Sequence, residues 1–279
     1  MSKVDGEFTH TSAPDRRDRL VQFVSEQGYS TILELSQAFG VSEMTIRRDV
    51  ARLVTEGRVR KFHGGASSLS PLDRLGTDYR ARDLKMTEAK RAIAARALEG
   101  VTAKSVIGLD AGTTCTQLAA ILPSDQHVMV ISASLPVVSS LATNAGVEVT
   151  CLGGTLHPES LSFSGPATLA AISNLHIETL FLAASGLNVR GVFCGNGFDA
   201  ITKRALIDVS DTVVLIADSS KFTTSAMVRT CGWDAIDRLI VDSDLRDVDE
   251  QMLAQHDLVI DKVSLEPAAV AASSLELVG

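Results

Sequence analysis

The sequence predicts an α/β chain in two unlike parts: an N-terminal winged helix-turn-helix, then an open, mostly parallel α/β domain. Three observations predict it. Charge is split along the chain, short helices with matching caps fill the first part, and from Ser105 short apolar strands alternate with helical stretches.

The charge split is hidden in the average. Over 279 residues the net charge is -8, with 45% hydrophobic and 22% charged residues, which by itself argues against a polyanion partner. Residues 1–70 carry 10 Lys+Arg and 9 Asp+Glu, net +1, and the rest of the chain carries net -9. Residues 46–63 alone hold a local +4, from Arg47, Arg48, Arg52, Arg58, Arg60 and Lys61 against Asp49 and Glu56. The positive charge is therefore concentrated in one short segment of an otherwise acidic chain.

Local patterns organise that segment. Arg16 to Gln27 places Leu20, Val21, Phe23 and Val24 on a helical face, with Gly28 as its cap. Thr31-Ile32-Leu33-Glu34 fits a capping box opening a second helix to Phe39, and Gly40 permits the turn that follows. Ser42 is an N-cap for a third helix whose inward stripe is Ile46, Val50, Leu53 and Val54, ended by Gly57. Ser42, Thr45, Arg47, Arg48 and Arg52 face away from that stripe. Arg58-Val59-Arg60-Lys61-Phe62-His63 alternates like a strand and stops at Gly64-Gly65, as a wing does. A solvated basic face would explain the charges alone. The turn spacing, caps and basic wing together fit a recognition helix in a major groove with the wing on phosphate.

The run Phe39-Gly40-Val41-Ser42-Glu43-Met44-Thr45-Ile46-Arg47-Arg48-Asp49-Val50, with Gly57 and His63-Gly64-Gly65-Ala66 downstream, resembles the DeoR-type winged helix-turn-helix of bacterial sugar-metabolism regulators. The resemblance implies a DNA-binding domain over 13–68, with the helix-turn-helix at 30–49, and Ser42, Thr45, Arg47, Arg48, Arg52, Arg58, Arg60, Lys61 and His63 on operator DNA.

Residues 66–86, with Ser67, Ser68, Ser70, Pro71 and Gly76, read as a hinge-like linker, its boundaries set at 69–86. Arg80, Arg82 and Lys85 serve solubility or belong to a connecting arm. Thr87 then caps a helix through Leu98, with Ala89, Ile93 and Ala97 inward. The runs 106–109, 128–131, 147–152, 180–183 and 213–217 are buried-strand candidates, and their separation by helices implies the parallel sheet. Ligand sites in such sheets lie at the carboxyl ends of strands. There the sequence places Asp110-Ala111-Gly112-Thr113-Thr114, Ser132-Ala133-Ser134, Gly153-Gly154-Thr155 and Asp218-Ser219-Ser220-Lys221-Phe222. A Gly-Thr-Thr turn entering a helix suits an anion, with Lys203, Arg204 and Lys221 as nearby charge; each cluster taken singly is also ordinary loop chemistry.

These pieces, with Ser185-Gly186 and Thr202-Lys203-Arg204-Ala205, resemble the DeoR-family C-terminal sensor domain, which is similar in fold to ribose-5-phosphate isomerase. Ser132-x-Ser134 departs from the usual Thr-Asn-Ser, so an amide is missing. The resemblance covers about residues 13–242 and implies a sensor and oligomerisation domain over 87–263 that takes a phosphorylated sugar or polyol. Asp110, Gly112, Thr113, Thr114, Ser132, Ser134, Gly153, Gly154, Lys203 and Lys221 are the implied effector contacts, and residues 264–279 form a tail.

Turnover is not expected, because the related enzymes carry an acidic cluster where this chain reads Ala183-Ala184-Ser185-Gly186-Leu187-Asn188-Val189. The competing reading is an active sugar-phosphate isomerase joined to a DNA-binding domain, with Asp110 or Asp218 as base; Asp218 beside Lys221 is as easily an ordering ion pair. No cofactor or metal is expected: G-x-G-x-x-G, the P-loop and H-x-x-x-H are all missing, and the four cysteines form no C-x-x-C. Gly195-Asn196-Gly197 reads as a turn. The sequence lacks a signal-peptide run and a membrane-length apolar stretch, so a soluble cytoplasmic protein is expected, a homodimer or homotetramer on double-stranded operator DNA.

Overall fold

The computed structural model describes residues 12–27, 29–56, 58–62, 65–67 and 78–265. Three helices come first: α1 (Ala13–Gln27), α2 (Ile32–Phe39) and α3 (Glu43–Thr55). They pack through Leu20, Val24, Leu35, Ile46 and Leu53, all fully buried, each such side chain contributing about 1.5–3 kcal/mol. The caps form as their residue types predict. Thr31 Oγ1 accepts from Glu34 N (3.1 Å) while Glu34 Oε2 accepts from Thr31 N (2.7 Å), Gly40 takes the left-handed conformation at φ 62°, and Ser42 Oγ accepts from Thr45 N (3.3 Å).

Beside the helices lies an antiparallel sheet ordered β1-β3-β2, made of β1 (Tyr29–Thr31), β2 (Arg60–Phe62) and β3 (Gly65–Ser67). The pattern of Arg58 to His63 indicates β2; the pairing of Tyr29–Thr31 with β3 has no local signal. Helix α1 begins three residues before Arg16. Gly28, Gly57, His63 and Gly64 lie outside the described residues. Val54, expected in the inward stripe, is half-buried, and Asp49 is buried instead, where Arg16 Nε holds it at 2.6 Å.

The larger part is built on a seven-stranded parallel sheet ordered β15-β14-β12-β9-β4-β5-β6. Its strands are β4 (Val106–Leu109), β5 (Val128–Ser132), β6 (Val147–Cys151), β9 (Ile177–Leu182), β12 (Ser210–Ile216), β14 (Arg238–Asp242) and β15 (Val259–Val263). Both faces are covered. Phe181 and Ile216 enter a core with Ile93 and Leu118, whereas Leu180 and Leu215 enter another with Trp233 and Val241. That two-sided burial explains why the inner strands read as apolar runs, while the edge strands β6 and β15 carry polar residues and are only partly buried.

Helices α4 (Tyr79–Asp83), α5 (Thr87–Leu98), α6 (Thr113–Ile121), α7 (Leu135–Leu141), α8 (Pro166–Ile172), α9 (Gly197–Asp208) and α10 (Asp247–Leu253) complete this part. Outside the main sheet stand a hairpin of β7 (Thr155–His157) and β8 (Ser162–Ser164), and an antiparallel sheet of β10 (Gly186–Asn188), β11 (Gly191–Cys194) and β13 (Val228–Cys231). From β4 the chain runs outward through β5 and β6, then returns to β9 on the other side of β4. The topological switch point is therefore between β4 and β9.

Two local expectations are corrected. Thr87 is the first residue of α5, not its cap; the cap position is Met86 at φ 51°, with no side-chain cap bond. Gly195-Asn196-Gly197 opens α9, because Asn196 Oδ1 accepts from Asp199 N at 2.8 Å.

Candidate functional sites

The outward side of α3 carries the charges of the first candidate site. Arg47 is exposed and lies 3.3 Å from Glu43, one helical turn back, and Arg52 Nε donates to Glu56 at 3.0 Å. Arg58 is tied to Asp18 at 2.8 Å and faces Glu56 at 3.8 Å. Arg48 is exposed and makes no hydrogen bond or ion pair among the described residues. Ser42 Oγ and Thr45 Oγ1 are 3.0 Å apart at the start of the helix. Arg60 and Lys61 lie in β2, and His63 falls outside the described residues.

The second candidate site is at the switch point. Asp110, following β4, donates its N–H to Phe181 O (3.1 Å), and its Oδ2 accepts from Ala183 N (2.9 Å) and from Lys203 Nζ. Lys203 Nζ also donates to Ala183 O at 3.1 Å. Both side chains are buried. Burial works against the Lys203 charge, and Asp110, Cys194 and Asp199 together outweigh it, leaving its pKa above the ordinary lysine value. The two residues expected to contact an effector therefore satisfy each other.

Asp218, after β12, is fully buried, and Ser220 Oγ donates to its Oδ1. Among the described residues its Oδ2 has no hydrogen-bond partner; Lys221 Nζ is 3.4 Å away in ion-pair range only. The sequence pattern leaves Asp218 and Lys221 either as base and ligand or as an ordering pair, and the geometry is that of a pair with spare capacity.

Two further cations join them. Lys90, on α5, is 1% exposed. Its Nζ donates to the carbonyls of Arg82, Asp83 and Lys85, capping the C-terminal end of α4. Burial and the neighbouring Lys221 pull its pKa down to about 8, against the opposite pull of Asp218 and Asp83. Burial likewise lowers Lys221, with Arg82 and Lys85 adding to the effect and Asp218 opposing it. Burial lowers Arg82 too, opposed by Asp199 and Asp110.

Arg82 and Lys85 come from the stretch that composition marks as linker. Its described portion, from residue 78, is not a free hinge. Tyr79 N donates to Glu159 O in the β7–β8 hairpin (2.8 Å), Tyr79 Oη to Thr116 Oγ1 on α6 (2.9 Å), and Lys90 holds the last turn of α4. Arg82 carried only a generic signal, a charge in a linker. Lys90 carried a better one, since residues 90, 93, 94 and 97 form the buried stripe of α5 and a lysine within it needs buried partners.

The remaining expected contacts have structural work. Ser132 Oγ donates to Leu109 O (2.6 Å), and Ser134 Oγ accepts from Val137 N (3.4 Å) as the cap of α7. Thr113 and Thr114 are buried in the first turn of α6, which has no side-chain cap. A Cβ on Gly112 would strike the Ala183 side chain, so glycine is required there by packing. Gly153 and Gly154, at φ 61° and 106°, lead into the hairpin, and Thr168 Oγ1 donates to Gly153 O (2.7 Å). Arg204 turns away from the site to the carbonyls of Thr230 and Arg229. Among the described residues no group of three or more His, Cys, Asp or Glu is placed to hold a metal, and no helix is long and apolar enough to cross a membrane.

Comparison with known proteins matches both parts. Residues 16–71 match the DeoR-like helix-turn-helix domain, and residues 85–243 match the DeoR C terminal sensor domain. The chain is 31% identical to the L-fucose operon activator of Haemophilus influenzae over 87% of its own length and 98% of that protein. It is 30% identical to the glycerol-3-phosphate regulon repressor of Escherichia coli K12, covering 82% of this chain and 90% of that one. Ribose 5-phosphate isomerase A from Neisseria gonorrhoeae aligns at a TM-score of 0.36, with 21% identity over 50% of this chain and 53% of that one, too low to carry an argument.

Proposed function

This chain belongs to the DeoR family of DNA-binding transcriptional regulators of carbohydrate catabolism, and on that premise we propose that it is a repressor relieved by a phosphorylated sugar or polyol. The observation that carries the effector class is the set of partly or fully buried cations beside Asp218: Lys90 feels Lys221 and Arg82, and Lys221 feels Arg82 and Lys85. Lys203 is matched by Asp110, whereas Lys90 and Lys221 are held down by burial first and by neighbouring cations second, and stand to gain from an anion. The acceptor left open on Asp218 suits a sugar or polyol hydroxyl. The effector contacts are thus Lys221, Thr113, Thr114 and the first turn of α6, joined by Arg82, with the buried Lys90 adding positive charge behind them; Asp110, Gly112, Ser132, Ser134, Gly153, Gly154 and Lys203 shape the walls.

The DNA contacts are Ser42, Thr45, Arg47 and Arg48 on bases, with Arg52, Arg58, Arg60, Lys61 and His63 on phosphate. Segments 13–68 and 87–263 act as DNA-binding and sensor domains, the stretch 69–86 between them. Because α4 belongs to that stretch and supplies Arg82, a filled site repositions the arm and lowers operator affinity. The protein works in the cytoplasm as a homodimer or homotetramer on repeated half-sites. It binds its effector without turning it over: Asp110 is committed to Lys203 and to Ala183 N, and Asp218 is ion-paired with Lys221 and accepts from Ser220 Oγ, so that its open oxygen binds a hydroxyl.

Thermal-shift screening against sugar and polyol phosphates tests this reading, with hits carried into operator gel shifts. One phosphate is expected to raise the melting temperature, release DNA and lose both effects in Lys221→Ala. Trp233, the only tryptophan, stacks on Phe222 with ring centroids 6.3 Å apart, next to Lys221, so its emission should report occupancy. Interconversion of a ketose and an aldose phosphate that is lost in Asp110→Asn would instead establish the isomerase reading.

A further inference from the structure

Helix α3 buries Ile46, Asp49, Val50 and Leu53. Its opposite stripe consists of Met44, Arg47, Arg48 and Ala51, all exposed and spaced three, four and seven residues apart. Met44 is 61% exposed, a large apolar side chain set among guanidinium groups in the first turn of the helix. It adds nothing to the core there, and a lone exposed apolar residue would ordinarily need no explanation. Its neighbours change that. Arg47 is held by Glu43 and Arg52 by Glu56, so among the described residues the stripe presents one unengaged guanidinium, Arg48, and one apolar group, Met44, four residues apart.

Those two chemistries match two features of a major groove: guanine O6 and N7, which take a bidentate arginine, and the 5-methyl group of thymine, the groove's one apolar feature. Side chains four apart on a helix are separated by about 5–6 Å at Cβ, or one to two base steps. We propose that Met44 is a specificity-determining residue that packs on a thymine methyl in each operator half-site, within two base pairs of a guanine read by Arg48. The inference rests on the reading that α3 enters the groove, and it adds what the groove must display there.

The test starts with duplexes selected from a randomised pool by the full-length protein. Each dT of the selected site is then replaced by deoxyuridine, which removes only the methyl group, and Kd is measured for wild type, Met44→Ala and Arg48→Ala. At one dT per half-site the wild type is expected to weaken about three- to fivefold, the loss of one buried methyl. Met44→Ala should bind the dT and dU duplexes equally at that position while melting like the wild type. The same dU response in wild type and Met44→Ala at every position overturns the role of Met44 even when Arg48→Ala loses its guanine preference. If Arg48→Ala and Met44→Ala both bind the selected duplex as the wild type does, the placement of α3 in the groove falls with it.

Discussion

The two candidate sites handle charge in opposite ways. On α3 the guanidinium groups are exposed and paired, where paired, with carboxylates one turn away, contacts worth a few tenths of a kcal/mol each. Around the strand ends Asp110, Lys203, Asp218 and Lys90 are buried, Asp110 and Lys203 holding each other across 93 residues of chain and Asp218 and Lys90 held by nearer neighbours. A surface that meets DNA keeps its charges solvated and loosely held, so that phosphates displace water and weak intrahelical partners at little cost. A site that senses a small anion holds its cations at a cost in burial, and that cost is what a bound anion relieves. The DNA-contacting side is therefore expected to tolerate substitution in stability and the sensor side is not.

The largest test of that contrast is Lys203→Met. It leaves the Asp110 carboxylate buried with only the Ala183 N–H, a loss expected at about 3–5 kcal/mol in urea unfolding. The double substitution Asp110→Leu with Lys203→Met should recover most of it. A loss below about 1 kcal/mol would show that the pair is solvated and would remove the distinction between the two sites.

Next in size is Arg48→Ala. Operator affinity should fall by about 1–3 kcal/mol in a gel-shift titration, with unfolding unchanged within about 0.5 kcal/mol. Arg52→Ala, on the neighbouring flank and paired to Glu56, should weaken specific and non-specific duplexes alike and lower the salt slope by about one. If Arg52→Ala relaxed sequence preference and Arg48→Ala did not, the assignment of base and phosphate contacts would be reversed.

A smaller effect separates folding from contact within α3. Ser42→Ala removes the acceptor for Thr45 N and should cost about 1 kcal/mol of stability. Ser42→Asp keeps the cap and should restore stability while repelling phosphate, so its affinity for DNA stays low. Recovery of binding in Ser42→Asp would make Ser42 a cap and not a DNA contact.

What could be read in advance follows the same division. The caps at Thr31 and Ser42 and the left-handed Gly40 depend on residues three or four apart, so their types and spacing suffice. The strand ends were legible as a place, because Asp110 and Asp218 each follow an apolar run. Their partners were not. Lys203 is 93 residues from Asp110, and nothing near either one shows that the two chains of hydrogen bonds close on each other. Arg82 looked like linker charge because its environment is made by α5, α6 and the β7–β8 hairpin, which only the folded chain brings together. Lys90 was the one readable exception, a lysine on an otherwise apolar helical stripe.

Lys90 supplies the finest test, because its effect is a pH dependence whose sign distinguishes a strained cation from a comfortable one. Its folded-state pKa, about 8, lies below the ordinary lysine value of 10.5, so the unfolded chain binds the proton more tightly. Below about pH 8 both states are protonated and the cost of the buried charge is constant. As pH rises through 8 toward 10.5 the folded state sheds the proton first, and that cost is progressively relieved, so stability rises with pH. Between pH 7 and 8.5 the gain should be under about 1 kcal/mol. The groups facing Lys90 are Arg82 and Lys221, which oppose its charge, and Asp83 and Asp218, which support it. A bound phosphate adds negative charge to that set, and the rise should then shift to higher pH. Stability that instead falls from pH 7 to 8.5 in wild type but not in Lys90→Met would mean that the ammonium is content among its three carbonyls, and the cation surplus at the strand ends would rest on Arg82 and Lys221 alone.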